Sequence, residues 1–370
     1  MTGRLLIALL FTGATAAQPA PRVVVEAGAV SQSYSTGDDQ SLSELTVPIS
    51  AAAEVTPGVT LGLRAVYASV SGDGFEGMSG LGDTQLSVGY RRPLGEAIVD
   101  LTLATSLPTG QTALTDAQFA TTAALAIDDY AFALPALGQG AMISPGVAIA
   151  IPAGDAVAIG FGAAYSARSS YTLFADDTSA YAPGNEAILT AGLQAGAGAS
   201  SFKLEGSYVL YGDDGYRGET FSPGDRAAAS MRLTLGGRYV RSQLLARYRH
   251  VFDGTVGAAQ RPVSYLRPSQ GQLGLGLGFG PPDTEVMLTA GARYYGSISD
   301  VAGAVSVVEE VAGVLAEQQV LLDLGLAPTI ALGPSARLRG QFVYTLGVAE
   351  AAGASPLTGY RAGASVRVGF

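Results

Sequence analysis

The sequence predicts an all-β fold, a transmembrane antiparallel β-barrel of about sixteen strands. Three observations point to it: a low share of charge, apolar residues alternating with small or polar ones, and turn residues at regular intervals. Charged residues make up only 14% of the 370, against roughly 25% in soluble domains, and 50 residues are Gly. Mean hydropathy is +0.30, yet beyond the N-terminus no apolar run reaches the ~18 residues of a membrane helix. A chain too apolar for water and too interrupted for spanning helices can satisfy its backbone in lipid by closing its strands on one another.

At the N-terminus, Arg4, the apolar stretch Leu5 to Phe11 and the small Thr15-Ala16-Ala17 read as a secretory signal cut after Ala17. This divides the chain into a signal peptide, 1–17, and an outer-membrane barrel, 18–370. A membrane anchor is the alternative, but the stretch is too short to span. There is no Cys, so neither a lipid anchor nor a disulfide is available, as suits an exported chain. A net charge of −10 argues against a nucleic-acid partner and against anionic lipid surfaces.

From Pro21 onward, alternating segments centre near residues 27, 46, 64, 87, 102, 147, 161, 190, 205, 232, 246, 275, 291, 323, 341 and 365, giving sixteen strands. Counts of fourteen or twelve stay open, because Ala113 to Ala136 could hide a further hairpin. The clearest strand is Gln272 to Phe279, with Leu273, Leu275, Leu277 and Phe279 on one face and glycines on the other. In Arg337 to Tyr344, Leu338, Phe342 and Tyr344 oppose Arg337, Arg339 and Gln341; in Val240 to Phe252, Leu244, Ala246 and Tyr248 oppose Arg241, Gln243, Arg247 and Arg249.

An even count keeps both termini on the periplasmic side. Short links there include Pro93-Leu94-Gly95, Ala153-Gly154-Asp155, Pro281-Pro282-Asp283 and Leu332-Gly333-Pro334-Ser335. Long links alternate with them at Ser71 to Gly82, Thr109 to Gln139, Ser169 to Gly184, Asp213 to Asp225, Asp253 to Gln270 and Asp300 to Gln318. Tyr67, Tyr90, Tyr165, Tyr208, Tyr211, Tyr294 and Tyr295 gather near strand ends, as interfacial girdles do. The chain ends on Phe370, in a strand whose Tyr360, Ala362, Ala364, Val366 and Val368 share its face; a terminal aromatic there suits recognition by the barrel-assembly machinery. A soluble β-sandwich is the alternative, but it should carry more charge on its outer faces.

With the apolar face toward lipid, the other face lines a lumen. It then holds Arg64, Arg91, Arg232, Arg241, Arg247, Arg249, Arg293, Arg337, Arg339, Arg361 and Arg367, with fewer acids: Glu26, Glu44, Asp100, Glu205, Glu285 and Asp323. Arginine facing lipid would cost roughly 2–4 kcal/mol at the midplane, so its inward placement is nearly forced. Two readings remain open: ion pairs that brace the wall, or a basic wall that favours anions below an acidic rim. The segment Thr109 to Gln139 could fold inward as a constriction loop carrying Phe119, Tyr130 and Phe132; an ordinary external loop is the alternative.

Two stretches carry a family resemblance. Gly80-Leu81-Gly82-Asp83-Thr84 opens a strand that runs through Gly89-Tyr90-Arg91, and Leu103 to Gly110 closes the next with Leu-Pro-Thr-Gly. The arrangement resembles the outer-membrane transporter family named for the MetA pathway of phenol degradation, itself distantly like the fatty-acid and toluene channels. The match covers about residues 80 to 110. The resemblance implies uptake of small hydrophobic or aromatic compounds and supplies no binding residues. Unlike the fatty-acid channels, the chain has no evident long N-terminal plug.

Catalysis and cofactors find little support. His250 is the only His, beside Tyr248, Arg249 and Phe252 on the apolar parity, which suits an interfacial residue better than a catalytic base. Cys or His metal sites lack ligands, and glycine runs such as GLGLGFG lack the following helix of a phosphate loop. The sequence therefore predicts an exported channel of the bacterial outer membrane for passive uptake of small molecules, without enzymatic activity, cofactor or metal. Its expected partners are outer-membrane lipid and lipopolysaccharide, the assembly machinery and small solutes. A general diffusion porin and a structural or adhesive barrel with a closed lumen are the alternatives.

Overall fold

Sixteen long antiparallel strands close into one barrel in the computed structural model, which describes residues 23–35, 41–126, 132–134, 136–237, 239–256, 261–263, 269–281, 283–296, 319–349 and 357–370. The expected signal, 1–17, lies outside the described residues. The strands are β1 (Val23–Ser35), β2 (Ser41–Thr56), β3 (Val59–Asp73), β4 in two pieces (Phe75–Leu81 and Thr84–Leu94) and β5 (Ala97–Leu107). After helix α1 (Asp116–Leu125) come β6 (Met142–Pro152), β7 (Val157–Arg168), β8 (Glu186–Ala197), β9 (Ser200–Tyr211), β10 (Arg226–Gly236) and β11 (Val240–Val251). The last five are β12 (Ser269–Phe279), β13 (Thr284–Tyr295), β14 (Gln319–Ala331), β15 (Ala336–Ala349) and β16 (Thr358–Gly369). All sixteen expected centres fall inside these strands.

Each strand pairs with its neighbours in sequence. β16 closes the wall against β1 in continuous register from Val24 opposite Gly369 to Ser35 opposite Thr358. No edge is left for another chain to pair with, which is how a barrel satisfies its backbone in hydrocarbon. A strand such as β5, with 11 residues, spans roughly 28 Å of height at about 3.3 Å per residue and ~40° tilt, enough for an apolar band of about 25 Å.

Both chain ends and the short links share one end of the barrel. These links are Pro57-Gly58, Gly95-Glu96 and Gly198-Ala199, followed along the chain by 237–239, 280–283 and Leu332–Ser335; Ala153–Ala156 belongs with them. The strand pair expected to turn at Pro93-Leu94-Gly95 turns two residues later, with Pro93 and Leu94 inside β4. The far end carries the longer connections and two small sheets. One pairs Tyr171–Thr172 with Ala180–Tyr181; the other joins Asp214–Tyr216, Glu219–Ser222, Gly254–Val256 and Arg261–Val263.

One far-end connection is not the loop the sequence suggested. Instead of a long link from Ser71 to Gly82, β3 runs on to Asp73 and turns back at Gly74, whose φ of +82° lets the chain reverse at a single residue. β4 therefore pairs with β3 in both pieces, across a break at Gly82-Asp83. The polar composition of 71–82 hid a hairpin that rises above the neighbouring β5.

Antiparallel partners share a face, so the register divides the residues around the whole wall. One face is apolar and exposed, with Leu273, Phe279, Leu324 and Phe342 among its residues and Leu275 at 57%. Contiguous apolar surface on this scale suits lipid, not water. Among the described residues no helix is long and apolar enough to cross a membrane; the crossing elements are strands. The other face lines the interior, and at the far end of β1 to β4 it is buried under the chain segment that holds α1. Parity corrects two girdle residues: Tyr211 and Tyr295 turn inward, because Tyr208 and Tyr294 already face out, three residues and one residue away.

Candidate lumen and inserted segment

Between β5 and β6 the chain turns into the barrel. α1 begins at Thr115, whose hydroxyl oxygen accepts from the Gln118 amide at 3.2 Å while the Gln118 side chain accepts from the Thr115 amide at 3.2 Å. This Thr-x-x-Gln capping box was legible in the sequence. It was missed because α1 is rich in Ala and Thr and has no apolar stripe. The hydroxyl of Thr121 donates to the Glu76 carbonyl at 3.0 Å and that of Thr122 to Met78 Sδ at 3.6 Å, so α1 lies on the inner face of the first piece of β4.

Beyond α1 the segment crosses to the next strands. Phe132 packs edge-on to Tyr34 at 5.2 Å between ring centroids. It joins two apolar clusters: Tyr34, Tyr295, Leu321 and Leu357 on one side, Leu42, Val70, Ala124 and Leu125 on the other. Leu134 and Phe119 pack on a third, made of Ala68, Met78, Leu114 and Leu137. Phe119 also meets Phe174 of the β7–β8 connection at 5.0 Å. Thus Phe119 and Phe132 of the expected constriction loop both face wall residues, while Tyr130 lies outside the described residues. The external-loop alternative does not hold for the described part of 109–139, and neither does the hidden hairpin: what stands there is a helix and a return segment.

Two carboxylates hold the insertion. Glu44, 1% exposed, accepts from the amides of Ala133 at 2.8 Å and Leu134 at 3.0 Å and from Gln32 Nε2 at 3.0 Å. Arg361 Nε donates to Gln32 Oε1 at 2.7 Å, extending the network to β16. Asp83, at the break in β4, accepts from Gly110 at 3.0 Å and Gln139 at 2.6 Å, tying both ends of the insertion together. Thr109 Oγ1 completes this neck, donating to the Gly82 carbonyl at 2.8 Å and accepting from the Thr84 amide at 2.9 Å. The neck is tight: a Cβ on Gly110 would stand 1.9 Å from the Leu137 carbonyl oxygen, and one on Gly138 2.8 Å from Gln111. The two short motifs near residues 80 and 110 therefore meet in space. Gly82-Asp83 is not a loop end but the clasp of the insertion.

The register places Arg64, Arg91, Arg232, Arg241, Arg247, Arg249, Arg293, Arg337, Arg339, Arg361 and Arg367 on the inner face with Glu205 and Asp323. Their surroundings differ. Arg293, 8% exposed, forms a two-pronged pair with Asp323 at 2.8 and 3.0 Å and reaches Thr345 and Tyr295. Arg91 pairs with Asp100 at 2.7 Å, Lys203 with Glu205 at 2.7 Å and Arg337 with Asp283 at 2.5 Å. Arg241 pairs with Glu285, whose side chain lies over Gly278, where a Cβ would stand 2.0 Å from its carboxylate. Arg64, Arg232, Arg247, Arg339 and Arg367 are exposed on the inner face.

Sequence reasoning counted Glu44 as one more inward acid and gave Gln32 and Tyr34 no role. Nothing local marks their task, because their partners come from about ninety residues along the chain. His250 faces outward near the far rim, its Nδ1 3.0 Å from Ser269 Oγ and its ring edge-on to Phe252 at 4.7 Å.

No protein-family model matches the sequence, and no curated protein matches it. Solved structures of similar outline exist. An outer membrane channel from Pseudomonas putida F1 is 13% identical over 96% of this chain and 97% of its own, with a TM-score of 0.40. OprB from Pseudomonas putida is 10% identical over 94% and 93%, with a TM-score of 0.48. OpdQ from Pseudomonas aeruginosa is 8% identical over 95% and 99%, with a TM-score of 0.45. At these scores the likeness carries no argument, and the barrel rests on its own strand pairing.

Proposed function

We propose that the chain is a channel of the bacterial outer membrane for passive uptake of small molecules. Its termini and short turns face the periplasm and the insertion narrows its outer half. One observation carries the reading: Arg64, Arg232, Arg247 and Arg339 are exposed on the inner face of a closed wall. A solid interior would bury such charges against partners, since a buried unpaired charge costs several kcal/mol. Sixteen strands leave room for an aqueous bore, and the outer face is apolar enough for lipid. Export by residues 1–17, contact with lipid and lipopolysaccharide, and assembly through Phe370 belong to the same proposal. Small aromatic or hydrophobic passengers are its finer part, supported by the resemblance near residues 80–110 and by the apolar faces of the insertion around Phe119 and Phe132.

Conductance of the purified protein in planar bilayers tests it. Deleting Gln118 to Pro135 should raise the single-channel conductance, because α1 and Phe132 leave the bore. An unchanged conductance would remove the constriction from the proposal. A protein without conductance, before and after deletion, would be a structural barrel. Aromatic acids that fail to compete with the ion current would make it a general diffusion porin.

A further inference from the structure

The far half of the bore has two unlike sides. Under the insertion the inner wall is sealed: Gln32 and Ala68 are fully buried and Glu44 and Thr46 almost so. Apolar clusters fill the space from β13 and β14 round through β1 to β4. On the other side, β9 to β12 carry no insertion over their inner face among the described residues, and Arg232 and Arg247 stand exposed there.

That free side is also the most basic part of the wall. The inner faces of β9 to β12 present Lys203, Arg226, Arg232, Arg241, Arg247 and Arg249, against a single acid, Glu205. Lys203 takes Glu205, and Arg241 reaches across Gly278 to Glu285 of β13. Arg226 lies over the Tyr211 ring at 4.5 Å, a contact that leaves its charge uncompensated. Beside the arginines, the inner face of β12 runs through Gly274, Gly276 and Gly278, so no side chain of β12 screens the strip there. Cations of one sign on a low-dielectric wall concentrate the opposite ion in the space before them.

We propose that solutes pass the insertion along the β9–β12 side, and that the basic strip there makes small anions, organic carboxylates among them, the preferred passengers. This rests on the channel reading above and adds a route and a sign of charge to it. The insertion decides the route by filling the opposite half; the strip decides the sign.

The reversal potential of the purified protein in a planar bilayer under a potassium chloride gradient reads the sign directly. The wild type should pass chloride over potassium by about threefold or more, and benzoate should carry current in place of chloride. The double substitution Arg232→Gln and Arg247→Gln should lower the permeability ratio about twofold or more, and Glu205→Gln should raise it. Heat-shifted mobility of each variant on a gel checks that its barrel is formed. Cation preference in the wild type would overturn the inference while leaving a channel. A ratio indifferent to both the arginine pair and Glu205 would overturn the route. Complete absence of current would remove the channel reading, and this inference with it.

Discussion

Glu44 shows how much one side chain can decide. Its two oxygens take three donors, two of them backbone amides of the insertion. A carboxylate can accept all three; an amide cannot, because its NH2 group would face a donor. In Glu44→Gln one of the amides of Ala133 and Leu134 therefore loses its acceptor, at a cost of about 1–3 kcal/mol for a buried group. The insertion should loosen: hydrogen exchange at Ala133 and Leu134 should quicken and conductance should rise. Exchange as slow as in the wild type would show that Phe132 and the Asp83 clasp hold the segment without Glu44. Asp83 was legible only as part of a familiar motif. Its task, closing a neck between residues 110 and 139, needed the fold to bring Gly110 and Gln139 together.

At the scale of elements, alternation was nearly sufficient for the strands. A period of two with apolar residues on one face leaves one way to lay each segment on a wall, so centres such as 275 and 341 needed no tertiary information. The misses have local causes. Residues 71–82 look like a loop because a far-end hairpin outside the apolar band needs no apolar face. α1 was missed because its buried side is made of Thr121, Thr122 and Ala124. The far-end connections are tied by hydrogen bonds instead of a core. Asp177 accepts from the Tyr216 hydroxyl at 2.5 Å, the Ser179 amide at 2.8 Å and Arg217 Nε at 2.7 Å. The Tyr216 hydroxyl first, then Ser179 and Arg217, hold the Asp177 carboxyl well below its usual range. A depressed carboxyl contributes stability that is full above its unfolded value near pH 4 and is lost as pH falls through the lower folded value. Exchange protection of residues 177–179 should thus be the same at pH 7 and pH 5, and Asp177→Asn should lower it at both. Protection already failing at pH 5 would contradict the tie.

For the molecule as a whole, closure is the main fact. The β1–β16 seam ends with Phe370, which donates its amide to Val23 at 2.9 Å and leaves its ring 74% exposed on the outside. A ring so placed adds little to packing, so its value as an assembly signal can be separated from its value to the fold. Removing Phe370 should lower the amount of barrel reaching the outer membrane in cells, while protein refolded in detergent keeps its heat-shifted gel mobility. Equal amounts in the membrane would set the assembly role aside.

The sequence by itself determined the strands, their number and which side chains share a face, because those follow from a local period and from the cost of placing charge in lipid. The tertiary structure alone decided where the bore is filled. Glu44 and Phe132 find their partners only after sixteen strands have curled into a ring, and a contact between segments some ninety residues apart leaves no periodic trace in either of them.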